Sequence, residues 1–422
     1  MDLIIRRARL RRAKTLVDIA IKDGKFSAID EHINTEGKKE IDADGNLVTP
    51  PFVESHVHLD AALSVGNPRY NQSGTLLEAI DIWSDYKKDM VKADIKKRAK
   101  QAISWLIANG VLHVRTHTDI SDPELMLLEA MLELKDELEE DVDIQIVAFP
   151  QDGIFAYKGM DKRLQRALEK GADVVGGMPQ GELTREDGIR SITYAFDLAE
   201  TFSVPIDIHT DETSDEQSRF TEVIVKYAME RGMTNSVTAS HATAMHNYEN
   251  DYAAKLIGNI KRAGINIVTN PFSNALLQNR LEGYPRRRGH TRIDELHAAG
   301  INVSIGNDNI MDPFGPVGKG SMLQAAHLLL HHAHLSDHEQ IKDLFDMITT
   351  KGAKTLGLND YGIEIGHPAN VIILDASDEI EAIRLTSECL YVIREGRVIS
   401  TAKPAKRRLM LARENMEVDF KL

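Results

Sequence analysis

Cysteine is nearly missing from this chain: 422 residues contain one, Cys389, so no internal disulfide can form. The same scarcity excludes a zinc deaminase of the cytidine type, whose metal requires a Pro-Cys-x-x-Cys pair. No apolar run reaches the roughly 18 residues of a membrane span. The opening stretch MDLIIRRARL is too short in apolar residues for a secretion signal. Low-complexity segments and repeats of about 20–50 residues are also lacking. Positive charge is in deficit: 51 Lys and Arg stand against 65 Asp and Glu, a formal net charge of −14. Such a surface repels phosphate backbones and anionic lipid, so neither nucleic acid nor membrane is an expected partner. A cytoplasmic protein acting on a small, weakly charged molecule is the expectation.

What is present divides by pattern. With 42% hydrophobic residues, the chain can bury one large core and a smaller one. Both ends are strand-like, with β-branched runs around the turn dipeptides Asp23-Gly24, Asp44-Gly45 and Glu395-Gly396. One small β-sandwich built from residues 1–48 and 361–422 is expected, flanking a central domain at 49–360. In that centre, short apolar runs alternate with helical segments. The runs are LVTPPFVESHVH, GVLHVRTH, VDIQIVAFP, GADVVGGMP, VPIDIHTDE, NSVTASHA, GINIVTNP and GINVSIGND. Eight strand–helix units predict a (β/α)8 TIM-like barrel, an α/β fold.

The polar residues of these runs gather at one end. His56 and His58 end the first strand, His117 the second, and Gln151 follows the third. His209 and Glu212 end the fifth, His241 the sixth and Asp308 the eighth. Positions two apart on a strand face one way, so His56 and His58 point together. Barrel chemistry sits where strands terminate. His56, His58, His209 and Asp308 make an N3O set for one divalent cation with a position left for water; these donors suit Zn2+ or Fe2+ alike. Such a cation brings the pKa of bound water to about 7. Glu212 is then a candidate to carry a proton to a substrate nitrogen, and His241 to support the attacking oxygen. Asp308 can shuttle a proton to a leaving amine. Gln151 offers a donor and an acceptor to an amide-like ring edge.

Other polar residues have plainer readings. His113 and His117 are expected to pack or orient neighbours. His331, His332 and His334 close a helix, and the basic stretch 284–292 is a solvated loop. Asp119 and Asp122 cap a helix, Asp60 steadies a loop, Cys389 is a small buried residue, and Met322 faces a helix core.

Several longer segments carry a resemblance: PPFVESHVHLD, NQSGTLLEAI, ANGVLHVRTHTD, IQIVAFPQDGI, HTDETSDEQSRF, VTASHATAMH and YPRRRGHTR among them. Over about residues 48 to 370 the chain resembles the bacterial cytosine deaminases of the amidohydrolase superfamily. The resemblance implies one iron or zinc ion per subunit at His56, His58, His209 and Asp308. It also implies a proton-transferring Glu212, a His241 beside the reactive water and a substrate-binding Gln151. Binuclear relatives need a carboxylated lysine at the end of the fourth strand, and GADVVGGMPQGEL has none. Oligomers are common among such enzymes, so a homo-oligomer is expected, although no segment identifies an interface.

The departures concern substrate. Asn309 stands where cytosine-specific members carry a second aspartate, and Phe314 where they carry a tryptophan. Gln180-Gly181 replaces a histidine and an aromatic residue, which predicts a larger cavity. Hydrolytic deamination of cytosine to uracil is the leading expectation. Alternatives are a related ring (isocytosine, isoguanine, creatinine, a pterin or a triazine amine), cyclic-amide or N-alkyl amine hydrolysis on the same site, and a non-catalytic barrel scaffold.

Overall fold

The strands that carry the polar cluster are parallel neighbours in a computed structural model, which describes residues 1–284 and 286–421. They are β1 Phe52–Val57, β2 Val111–Asp119, β3 Asp143–Phe149, β4 Val174–Gly177, β5 Ile206–Thr210, β6 Val237–His241, β7 Asn266–Thr269 and β8 Val303–Ile305. They pair in chain order, and a parallel bridge between Val57 and Asp308 joins the last strand to the first. Every residue of β2 is buried, as expected of strands covered by helices outside and by side chains within. The covering helices present apolar stripes. Helix Asn250–Ala263 buries Ala253, Leu256, Ile257, Ile260 and Ala263, a 3.6-residue period. It stops at Gly264, whose φ of 65° lets its N–H reach the carbonyls of Ile260 and Lys261.

Strands from both ends of the chain share a second sheet. Arg397–Thr401, Cys389–Arg394, Val371–Leu374, Leu47–Thr49, Leu3–Leu10, Val17–Lys22 and Lys25–Asp30 follow one another, with Lys39–Asp42 beside Leu3–Leu10. Leu3–Leu10 shifts register between Ile5 and Ala8. Before the shift it runs parallel to Lys39–Asp42, and after it to Leu47–Thr49. The two halves enclose one core, in which Leu3, Ile5, Ile19 and Ile21 join Val48, Val371, Ile373 and Ile393. Asp23-Gly24 and Glu395-Gly396 make two-residue hairpin turns with both φ angles positive. Arg407–Leu411 and Glu414–Val418 form a separate, exposed hairpin. Among the described residues, no helix is long and apolar enough to cross a membrane.

The terminal sheet meets the barrel at the end away from the polar cluster. Arg394 grips Asp143, at the start of β3, with Nη2–Oδ1 at 2.6 Å and Nη1–Oδ2 at 2.9 Å. Burial alone raises the Asp143 carboxyl, but hydrogen bonds from His113 and Arg394 outweigh it and hold the pKa well below the usual range. A depressed folded-state pKa stabilises the fold above the unfolded value, an effect lost as pH falls through the folded one. Asp143→Asn should therefore lower stability at pH 7, and the deficit should shrink in strong acid. Denaturant melts across pH measure this, and a deficit independent of pH would contradict it.

Candidate metal centre and substrate pocket

Backbone geometry brings the four donors together. His56 lies in β1 and His58 just beyond it, His209 lies in β5, and Asp308 follows β8. Asp308 has φ 66°, an uncommon conformation for a non-glycine residue and one that clusters at functional sites. Its N–H donates to the His56 carbonyl at 2.8 Å, and the His58 N–H donates to the Asp308 carbonyl at 2.9 Å. The side chains converge as a result. His58 Nε2 stands 3.2 Å from His209 Nε2 and 3.3 Å from Asp308 Oδ1, and His56 Nε2 is 3.6 Å from the same oxygen. Donors each about 2.1 Å from one ion, at tetrahedral or octahedral angles, stand about 3.0–3.4 Å apart. The spacing fits a shared cation.

The hydrogen-bonding pattern behind His56 supports the same fit. The Ser240 hydroxyl donates to Asp207 Oδ1 at 2.6 Å, and Arg115 Nη1 donates to Asp207 Oδ2 at 3.0 Å. With its single proton so used, the Ser240 oxygen accepts from His56 Nδ1 at 3.0 Å. The proton of His56 thus sits on Nδ1. Nε2 is left as a buried lone pair with no hydrogen-bond partner among the described residues, aimed where the other donors meet. Ser240→Ala should weaken metal affinity about 10–100-fold, read by competition against a chromogenic chelator. Unchanged affinity would remove this role from Ser240.

Electrostatics follow from burial. His56 and His209 are pushed well below the ordinary imidazole range, first by burial and then by neighbouring histidines; neutral imidazole is the form that ligates metal. Burial also disfavours charge on His58, yet Asp308 outweighs it and lifts His58 to about 9. Burial raises Asp308, but the His58 hydrogen bond and the charges of His241 and His58 bring it below its usual value. Glu212 is raised, chiefly by burial. Asp211, which precedes it at φ 50°, is anchored by Ser218 Oγ, the Phe220 N–H and the Thr221 N–H at 2.8, 2.8 and 2.9 Å. His241 Nδ1 lies 3.0 Å from Asn274 Oδ1, 3.7 Å from Glu212 Oε1 and 3.9 Å from Asp308 Oδ2.

These groups line a cavity that also includes Gln151, Asn309 and Phe314. The Gln151 amide makes no hydrogen bond among the described residues, so both its ends are free for a ligand. Asn309 differs: its Oδ1 accepts from Ser273 Oγ at 2.6 Å and its Nδ2 donates to Asp312 Oδ2 at 2.9 Å. It gives the cavity a neutral wall. Asp60, Trp83 and Asp119 line the cavity too. Asp60 accepts from the N–H groups of Ala61 and Asp119, the expected loop-steadying role. Asp119 does not cap the following helix, which begins only at Met126: it ends β2, accepts from the Ser121 N–H, and its Oδ2 takes Trp83 Nε1 at 2.9 Å and Lys87 Nζ at 2.6 Å. That role had no signal in the sequence. His117 stacks on His56 with ring centres 3.8 Å apart, and His113 pairs with Asp143. Cys389 and Met322 are buried. Within the stretch 284–292, Pro285 lies outside the described residues.

A barrel with converging imidazoles and carboxylates at its C-terminal mouth defines a metal-dependent hydrolase acting on C–N bonds. The chain belongs to the amidohydrolase family, whose profile matches residues 39–400. Its fold superposes, with a TM-score of 0.94 and 43% identity, on a crystal structure of 5-methylcytosine deaminase from Klebsiella pneumoniae liganded with 5-fluorocytosine, covering 96% of this chain and 99% of that one. It is 31% identical to N-isopropylammelide isopropyl amidohydrolase of Pseudomonas sp. (strain ADP), over 94% of this chain and 97% of that protein. It is 29% identical to pterin deaminase of Rhizobium rhizogenes (strain K84), over 86% and 83%.

Proposed function

We propose that this protein hydrolyses the exocyclic amine of a cytosine-type ring, cytosine or 5-methylcytosine, to the oxo compound and ammonia. The observation that carries the reading is that Gln151, its amide unpaired among the described residues, lines the same cavity as Glu212 and the donor set, with the 43% identity to a 5-methylcytosine deaminase beside it. His56, His58, His209 and Asp308 hold one cation, Fe2+ or Zn2+. When bound, that ion supplies Lewis acidity and a water acidic enough to lose its proton near neutrality.

The chain's own groups do the rest. Gln151 donates to the ring carbonyl and accepts from the adjacent ring N–H, which fixes the ring's orientation. Glu212 delivers a proton to the ring nitrogen beside the amino-bearing carbon, so that carbon accepts an oxygen without building a ring anion. Asp308 takes one proton of the attacking water and passes it to the departing amine, and the hydroxyl proton left on the tetrahedral carbon returns to Glu212 as the new carbonyl forms. His241 steadies negative charge on the attacking oxygen. Phe314 and Asn309 shape the cavity wall, and the neutral Asn309 admits an apolar substituent on the ring. A cytoplasmic homo-oligomer completes the proposal, and sedimentation of the purified chain tests the assembly.

A second reading, release of an alkylamine in place of ammonia, is supported by the 31% identity to an N-isopropylammelide hydrolase. A panel of cytosine, 5-methylcytosine, isocytosine, isoguanine, creatinine, pterin and N-isopropylammelide separates the two. Ammonia from the cytosines at the highest kcat/KM is the expected outcome. Isopropylamine alone would replace this reading with the second.

A further inference from the structure

The strands at the barrel mouth contribute unequally. β1, β5 and β8 bring the four candidate donors, whereas the segment that follows β4, residues 178–184, carries none of them. It turns at Pro179–Gly181 and reaches sideways instead, to the loops of the strands on either side.

On one side it meets the loop after β3, which carries Gln151. The Glu182 carboxylate accepts three successive main-chain N–H groups there: Ile154 at 2.6 Å on Oε1, then Phe155 at 3.1 Å and Ala156 at 2.7 Å on Oε2. Consecutive N–H groups turned to one point form an anion cradle, and an ionised acceptor makes such a bond about twice as strong as a neutral one. Gly153 permits the approach: its φ is 82°, and a β-carbon on it would stand 3.1 Å from the Glu182 carboxyl carbon. On the other side, Gln180 Oε1 accepts the Asp211 N–H at 3.2 Å, one residue before Glu212. Glu182 is thereby tied to the β5 loop and is not free to drift with the β3 loop.

Gln151 depends on such a support. Its side chain has no hydrogen-bond partner among the described residues, so its main chain alone places the amide. The Gln151 N–H reaches the Phe149 carbonyl at 3.1 Å and the Gly153 N–H the Pro150 carbonyl at 3.0 Å, both within one turn. Past Phe149, the first hydrogen bonds among the described residues that tie this turn to another loop are those at Glu182. We infer that Glu182 is a positioning residue: its carboxylate fixes the loop that places the Gln151 amide, and so sets how well the amide edge of the ring is gripped. That Gln151 reads the ring rests on the proposed function; the clamp does not. Misplacing such a group by about 1 Å costs up to about a hundredfold in rate.

Glu182→Ala leaves the Phe155 ring held by Arg190, whose guanidinium carbon lies 3.7 Å from the ring centre, so the loop loosens without unfolding. In that variant kcat/KM for ammonia release from cytosine should fall about thirtyfold at unchanged metal content. The same substitution made on Gln151→Ala should cost less than about twofold more, because a residue that acts through Gln151 has nothing left to place. Equal losses on both backgrounds mark a merely structural role and overturn the proposal, as does no loss in Glu182→Ala. Amide exchange gives a second readout that needs no turnover. In Glu182→Ala, faster exchange should spread from positions 154–156 to the N–H groups of Gln151 and Gly153; exchange that quickens at 154–156 alone, or nowhere, overturns the clamp on Gln151. Should the unaltered protein release no ammonia while the exchange still spreads, the clamp stands and the deaminase reading falls.

Discussion

Glu212→Gln lowers kcat for ammonia release about a thousandfold, within the range of a lost general acid, while metal content stays at the level of the unaltered protein. Glutamine keeps the size of the side chain and its place beside His241, 3.7 Å from Oε1. What it loses is the transferable proton. Burial raises the Glu212 carboxyl above its ordinary value, the direction that favours the proton-carrying form. The split between activity and metal content is the informative part. A mutant that loses both in parallel would make Glu212 a ligand, and one that keeps its kcat would remove it from the proton path.

Metal removal is the second large effect. Prolonged dialysis against a chelator should cut ammonia release at least a hundredfold, and Fe2+ or Zn2+, supplied separately, should restore it. His209→Ala should show the same loss without recovery. Metal should also stabilise the fold, by about 4 kcal/mol when its free concentration is a thousand times Kd. The melting temperature therefore drops on stripping. Loading should release protons, because His58, lifted to about 9 by Asp308, must shed its proton to ligate. Buffers of different ionisation enthalpy report that release calorimetrically. Full activity in protein with less than about a tenth of an ion per chain would refute the metal assignment.

Much of this site was legible in the sequence because strands obey a short period. Alternation put His56 and His58 on one side of β1, and their rings do lie together, with centres 5.4 Å apart. Placement at strand ends brought His209, His241 and Asp308 to the same mouth. The turn dipeptides at 23–24 and 395–396 required left-handed backbone and adopt it. Register was harder to read. β2 runs to Asp119, two residues past His117, because it stays paired with β3 as far as Phe149, and pairing length is set by the neighbour. Trp83 reaches the cavity from a helix after β1, and nothing in DIWSDYKK signals an indole bonded to Asp119. The Ser240–Asp207–Arg115 chain assembles from three strands and ends at the Thr355 carbonyl, contacts that no local pattern encodes. Asn309 read as a lost charge, whereas its two hydrogen bonds to Ser273 and Asp312 show an amide occupied in holding the loop.

The join between β8 and β1 is the thinnest seam of the barrel: a bridge at Val57 and Asp308, the two hydrogen bonds exchanged with His56 and His58, and Asn307 held by Glu54 through its N–H at 2.9 Å and its Nδ2 at 2.6 Å. The hoop is therefore fastened at the same residues that are proposed to grip the ion. On that proposal, filling the site would clasp the first strand to the last, and emptying it would leave the buckle loose. Amide protons at positions 58 and 308 should be the first of the barrel to exchange once the ion is gone.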